Sequence, residues 1–400
     1  MIRPPARGAP TEDERSMSIP GFSSTGSKRP EALFGDTVDA TLPRRMVSAA
    51  GARVRDEEGR EYLDFIMALG AVGLGYADPT VESAVRDALR DGVVGPLPPV
   101  HEERLAGTLG RAIPWLEQVR FLKTGAEAVA AAVRLARTHT GRDAVLTCGY
   151  HGWLDWCQPG AAGVPVSTGG LTGALAFNDA DAARDLIRQR GDALAAVVVE
   201  PVVHEEPRRE WLEALRQETD RSGAVLVFDE IKTAFRLAVG GAAERYGIHP
   251  DLMVLGKALA NGFPLAAVGG RRDIMAAATR TWISSTLATE FVALAAAQAT
   301  VEVMTSRDVP AALGRTGRLL MDGLNRLAQE HSSAVAVRGL PEMCFLEFTD
   351  EQASARFAAA CAREGVLFKR SAYNFVSLAH QPADIATALR AVEAALAREV

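Results

Sequence analysis

Lysine is scarce in this chain. Of 44 Lys+Arg in 400 residues, only five are lysine: Lys28, Lys123, Lys232, Lys257 and Lys369. Arginine carries the positive surface charge, so each lysine raises the question of what a primary amine does there. Net positive charge is also missing. The formal charge is −6, with no basic cluster interleaved with aromatics, which argues against nucleic acid or an anionic membrane as the main partner. No apolar run approaches the roughly 20 residues that span a bilayer. The four cysteines, Cys148, Cys157, Cys344 and Cys361, form no CxxC pair and have no histidines at zinc spacing. No metal site is expected, and buried reduced thiols fit the cytoplasm. Phosphate-binding signatures are absent too. No GK[ST] follows a glycine-rich loop, and "GLGYAD" (73–78) has Asp78 at the third glycine position of a dinucleotide fingerprint. There is no GxSxG nucleophile elbow.

What remains is the composition of a globular protein, 48% hydrophobic and 24% charged, long enough for two domains. Residues 1–30 are rich in Pro, Ser, Gly and charge, lack the apolar core of a secretory signal and are expected to be disordered. Met17 is an alternative start. "RVRDEEGREYLDF" (53–65) reads as two strands around a turn, and "PTVESAVRDALRDG" (79–92) as a helix stopped by Gly92. Apolar, valine-rich runs follow at 144–148, 193–202, 223–231, 251–257 and 265–270, several separated by amphipathic helices. Strands apolar on both faces are covered on both sides, which predicts an α/β fold with a largely parallel sheet. After about residue 290 two helices lead into strand-like segments at 342–349, 366–370 and 374–380, a smaller α+β domain. The expected organisation is a disordered extension at 1–30, the first part of the small domain at 31–78, the large domain at 79–295 and the rest of the small domain at 296–400.

In open α/β sheets, ligands sit beyond the carboxyl ends of the strands. Those ends carry Glu200, Asp229, Glu230 and Lys257. One amine and several carboxylates converge there, although singly Asp229 could cap a helix and Lys257 could face solvent. "FLKTGAEAVAAAV" (121–133) sets Thr124 and Gly125 between a strand and an alanine-rich helix. The free N–H groups of a first helical turn suit a phosphate, with Thr124 as a plain N-cap the ordinary alternative. "CGYHGWLDW" (148–156) places Tyr150, His151, Trp153 and Trp156 together after a strand. An aromatic there can stack on a planar ring, or the cluster can simply pack a lid. His151 reads as structural.

These segments, with "LVFDEIKTAFR", "PDLMVLGKALANGFPLAAVGG", "SSTLATE" and "VSLAH", resemble the class III, fold type I pyridoxal-phosphate enzymes, and most of all the glutamate-1-semialdehyde aminomutase-like members. The likeness runs from about residue 51 to 380. It implies a fold type I transferase with a mostly parallel seven-stranded sheet and a smaller α+β domain. It implies that Lys257 forms a Schiff base with pyridoxal 5′-phosphate, which arginine cannot do, and that Asp229 faces the pyridine nitrogen. Thr124, Gly125 and Ala126 would hold the phosphate, Tyr150 would stack on the ring, Ile231 would pack beneath it and Glu200 would lie near its hydroxyl. Thr286 would reach the phosphate of the partner in a homodimer. Three departures stand out. Ala234 replaces a glycine, "ATEF" (288–291) replaces a Ser-Gly-Asn-Pro run, and the aminomutase's N-terminal Ser-Pro-Val-Arg has no match in "DATLPRR".

The expected function is therefore a cytoplasmic pyridoxal-phosphate-dependent aminotransferase acting on a small-molecule amine and carbonyl. An aminomutase, a racemase or epimerase, and a non-catalytic cofactor-binding protein are the alternatives. Trp153, Trp156, Glu290, Arg44, Lys369 and Arg370 are candidate substrate residues. Lys369 and Arg370 could bind a carboxylate or form a solvated basic strand end.

Overall fold

The structure is a computed structural model that describes residues 18–331 and 335–399. The chain forms two compact units: one of residues up to Leu69 and from Gly314 on, the other of Gly70–Leu313. The first unit carries the antiparallel strands β1 (Met46–Ala50), β2 (Arg53–Asp56) and β3 (Glu61–Asp64). The expected two-strand hairpin is thus β2–β3, with β1 added in front of it. Most of the extension expected at 1–30 lies outside the described residues.

The second unit is built on a seven-stranded sheet. In chain order its strands are β4 (Gln118–Leu122), β5 (Ala144–Cys148), β6 (Thr172–Ala174), β7 (Leu194–Val199), β8 (Val225–Asp229), β9 (Leu252–Leu255) and β10 (Ala266–Gly270). Across the sheet the order is β4-β10-β9-β8-β7-β5-β6. Strands β5 to β9 are parallel, and β10 runs antiparallel to both β4 and β9. Being antiparallel to the same strand, β4 and β9 point the same way. The carboxyl ends of β4, β5, β7, β8 and β9 therefore open on one edge.

All six residues of β7 are buried, as are all five of β8. Their valine runs alternate between two cores. Val198, Val227 and Val254 face a layer with the helix Gly125–Thr140. Val197, Val199, Leu226 and Phe228 face one with Trp211 and Leu215 of the helix Arg209–Ser222. Each fully buried valine contributes roughly 2 kcal/mol of transfer free energy, which fixes the register that sets Asp229 opposite Val254.

The helix Phe291–Ser306 packs against Pro79–Asp91 and belongs to this unit. It is apolar nearly all round, as a helix buried between others must be. The unit boundaries fall at 69/70 and 313/314, where the sequence suggested 78/79 and 295/296. The first unit is completed by β11 (Val335–Leu340), β12 (Met343–Phe348) and β14 (Tyr373–Phe375) in a three-stranded sheet, while β13 (Val366–Leu367) joins β3. No helix among the described residues is long and apolar enough to cross a membrane.

Candidate active site

Four chain segments meet at the common strand edge of the second unit. After β9, Gly256 and Lys257 turn sharply, and Lys257 has a left-handed φ of 46°. A non-glycine residue held there is strained by about 1–2 kcal/mol, and strain persists where the surroundings over-determine a side chain's direction. Lys257 is half-buried, and among the described residues no hydrogen bond or ion pair engages its amine. The amine is drawn down to about 8. Burial is the main cause, then the Lys232 ammonium, opposed by Glu200 and Asp229, with Arg236 adding to the downward pull.

Asp229 ends β8 and is 3% exposed. One carboxylate oxygen, Oδ2, lies 2.8 Å from His151 Nδ1, and Oδ1 accepts the Ile231 N–H at 3.3 Å. A carboxylate only accepts, so His151 carries its proton on Nδ1. Its buried Nε2 has no hydrogen-bond partner among the described residues, and its ring stacks toward Trp156. Oδ1 keeps lone pairs open for a further donor.

Ile231 ties the segments together. A Cβ at Gly125 would come within 2.5 Å of Ile231 Cδ1, and one at Gly256 within 3.5 Å of its Cγ atoms. The side chain thus lies between the turn before the helix Gly125–Thr140 and the turn before Lys257. On the other side, Gly152 closes on Ala126, where an added Cβ would meet the alanine Cβ at 2.5 Å. The 124–126, 149–152, 229–231 and 256–257 segments therefore form one site.

Thr124 and Glu127 form a capping box. Thr124 Oγ1 accepts the Glu127 N–H, and Glu127 Oε2 accepts the N–H groups of Thr124 and Lys123. The first-turn N–H groups of Gly125 and Ala126 stay open to an anion. The N-cap alternative for Thr124 and the phosphate-turn geometry coexist.

Glu200 follows β7. Its Oε2 accepts the Tyr150 N–H at 2.9 Å, and its Oε1 pairs with Lys232 Nζ at 2.8 Å. Burial would raise its carboxyl, but the Lys232 ammonium and the Tyr150 N–H outweigh that and leave it below its ordinary value. Tyr150 itself is exposed, as are Trp153, Thr286 and Leu287. The segment carrying Thr286 is pinned by Arg120 to the Ile283 carbonyl and by Arg134 to the Trp282 carbonyl.

The other candidates are already engaged. Glu290 caps the helix Phe291–Ser306 through the N–H groups of Val292 and Ala293 and pairs with Lys123 at 2.6 Å. Lys369 is 2% exposed and donates to the Ser27 and Ala32 carbonyls. Arg370 pairs with Glu351. Neither is a solvated strand end. Arg44 lies over the Phe22 ring. Conversely, sequence reasoning passed over His151, which it read as structural, and over Lys232. The signal for Lys232 was in hand, since it is one of five lysines.

These residues suit pyridoxal phosphate by their chemistry: an unpaired amine, a buried carboxylate with an open oxygen, an anion-ready helix turn and an exposed aromatic.

A sequence model of the family described as "Aminotransferase class-III" matches residues 35–396. The chain is 37% identical to a glutamate-1-semialdehyde 2,1-aminomutase of Thermomicrobium roseum over 387 residues, covering 88% of this chain and 90% of that one. Among solved structures, the pyridoxal-phosphate internal aldimine form of the FumI protein of Sphingopyxis sp. MTA144 superposes with TM-score 0.86 at 28% identity, covering 93% of this chain and 95% of that one. An omega-transaminase from Sphaerobacter thermophilus superposes with TM-score 0.83 at 27% identity, covering 97% and 99%.

Proposed function

The chain belongs to the class-III aminotransferase family and is a pyridoxal-phosphate-dependent enzyme; from that premise we propose that it is a transaminase with Lys257 as its condensing amine. Bound at this edge, pyridoxal phosphate supplies a carbonyl that condenses with amines and a ring that accepts an electron pair from the substrate Cα. Lys257 would tether the cofactor, and its free amine would move the proton at the substrate Cα. Asp229 would accept the ring N–H, and His151 holds the Asp229 carboxyl group in its orientation. Gly125 and Ala126 offer their N–H groups to the phosphate. Tyr150 would cover one ring face, Ile231 would pack beneath the other and Glu200 would lie on the hydroxyl side. The observation that carries the assignment is a half-buried lysine amine with no partner among the described residues, at the same strand edge as the Asp229–His151 pair.

Thr286 of the partner subunit completes the phosphate site in a homodimer. Support comes from apolar side chains exposed in the single chain. Leu97 and Trp282 are 76% and 80% exposed, and the 93–100 loop is joined to the helix after Leu287 by a Phe291 N–H to Val93 carbonyl bond. Four free thiols agree with a reducing, cytoplasmic setting.

Supplying amino donors with and without a keto-acid acceptor tests the reading. Stoichiometric loss of the keto acid supports transamination. Conversion with no second substrate moves the assignment to an aminomutase or a racemase, and the 37% identity to an aminomutase favours the former.

A further inference from the structure

The strap of residues 282–290, which carries Thr286, is gripped by one short stretch of chain. Arg120 on β4 donates to the Ile283 carbonyl. Arg134, on the helix Gly125–Thr140, donates to the Trp282 carbonyl at 2.7 Å. Lys123, just after β4, places its Nζ 2.6 Å from Glu290 Oε1. The first two contacts fix where the strap begins, and the third fixes where it ends. Ile283 and Ala288 are buried, while Thr286 and Leu287 between them are exposed. Lys123 is itself tethered, because its N–H shares Glu127 Oε2 with the N–H of Thr124. The stretch 120–134 that grips the strap is thus the one that offers the Gly125 and Ala126 N–H groups.

We propose that Lys123 and Glu290 are positioning residues, an ion-pair clamp that sets the Thr286 strap against the phosphate turn and so aims Thr286 at the cofactor phosphate of the partner subunit. The proposal rests on the reading of residues 124–126 and Thr286 as phosphate contacts. Each chain's phosphate turn then carries the strap that serves the other site.

The pair differs from the loose surface pairs that contribute little to a fold. Its side chains are only 14% and 11% exposed, so removing one partner leaves the other charge poorly solvated. The carboxylate is also held from its far side. Glu290 Oε2 accepts the Val292 N–H at 2.8 Å, and Oε1 accepts the Ala293 N–H at 2.9 Å while it faces Lys123. Lys123 therefore grips the fixed start of the helix Phe291–Ser306, not a free rotor. A strap pinned at both ends has given up conformational freedom before a ligand arrives, and that preorganisation appears as affinity. The role is geometric, because two opposite charges in contact largely cancel each other's field at the phosphate.

The test measures, by visible absorbance, the affinity of the full-length cofactor-free protein for pyridoxal phosphate and for pyridoxal, which lacks the phosphate. Wild type is compared with Lys123→Met, Glu290→Asn and the double variant; Asn keeps an N-cap acceptor and drops the charge. A wild type that binds no pyridoxal phosphate, or binds both ligands equally tightly, removes the phosphate-site reading and this proposal with it. With the wild-type preference in place, each single variant is expected to weaken pyridoxal phosphate at least about fivefold and pyridoxal less than about twofold. The double variant is expected to lose no more than either single one, as partners in one contact should. In a Thr286→Ala chain, Lys123→Met is expected to add less than about twofold, because the clamp acts through Thr286. A direct effect of charge on the phosphate gives opposite signs instead, weaker binding without Lys123 and tighter binding without Glu290. Opposite signs, unchanged affinity, equal losses for the two ligands, additive losses in the double variant or an undiminished loss in the Thr286→Ala chain each overturn the proposal. If Glu290→Asn does not fold, Glu290→Asp decides. It keeps the cap and the charge but is one methylene shorter: a loss confined to pyridoxal phosphate supports the clamp, and any other result overturns it.

Discussion

His151 Nδ1 and Asp229 Oδ2 are 2.8 Å apart, with both residues withdrawn from solvent. The residues come from the ends of β5 and β8, which are separated in the sheet by β7, so the contact is made by loops crossing above the edge. A buried carboxylate with one oxygen held this way presents the other in a fixed direction. Asp229→Asn is expected to lower kcat/KM by at least about a hundredfold, the scale of losing one preorganised electrostatic partner. His151→Phe, which leaves Asp229 in place without its donor, is expected to cost roughly ten- to a hundredfold. His151→Asn, which can still donate, is expected to fall between His151→Phe and wild type. Steady-state kinetics with a fixed donor and acceptor measure all three.

The depressed Lys257 amine has a consequence for stability. Its value in the folded chain is about 8, against 10.5 for an ordinary lysine. The folded state binds this proton more weakly than the unfolded chain does. Below pH 8 the whole penalty stands, and stability recovers as pH rises from 8 to 10.5. Lys257→Met in the cofactor-free chain should therefore be more stable than wild type at pH 7, by up to about 3 kcal/mol. That advantage should vanish above about pH 10.5. Urea unfolding at both pH values checks the sign, and an advantage that grows with pH contradicts it.

Lys369 donates to the carbonyls of Ser27 and Ala32 and is held at about 8, mainly by burial and then by Arg370. It ties the segment before β1 to the stretch after β13. Lys369→Met is expected to expose residues 27–32 to faster hydrogen exchange and proteolysis while leaving KM for a carboxylate substrate unchanged. A rise in KM with no change in exchange would return Lys369 to substrate binding.

The lysines show how much of the site was legible. Their scarcity singled out Lys257, yet the same scarcity applied to Lys123, Lys232 and Lys369. Lys123 and Lys232 are only 14% and 11% exposed, and Lys369 is buried. Arginine serves the surface, and four of the five lysines are kept out of open water. Sequence can register that bias, but pairing Lys232 with Glu200 or His151 with Asp229 needs the strand order β8-β7-β5, which no local pattern encodes. The valine-rich strands were readable because burial on both faces leaves a continuous apolar run. The direction of β10 was readable in principle. Only residues 256–265 join it to β9, too few for the crossover of a dozen or more that parallel neighbours need. Strands β1 and β11 escaped because they carry little buried apolar surface.

The exposed apolar loop at 93–100 supplies the last prediction. Val93, Val94, Leu97 and Val100 are all exposed, and the Phe291 N–H to Val93 carbonyl bond fixes that loop beside the residues that follow Thr286. Exposed apolar surface of this kind is costly unless a partner covers it. If a second copy does so, the interface and the proposed phosphate contact from Thr286 of the partner subunit stand or fall together. Leu97→Asp places a charge in that interface and touches none of the residues assigned to the cofactor. It is expected to shift the protein toward monomer in analytical ultracentrifugation and to weaken cofactor retention in parallel, with Thr286→Ala weakening retention while leaving the dimer intact. A Leu97→Asp monomer that keeps its cofactor as tightly as wild type would show that the site is complete within one chain.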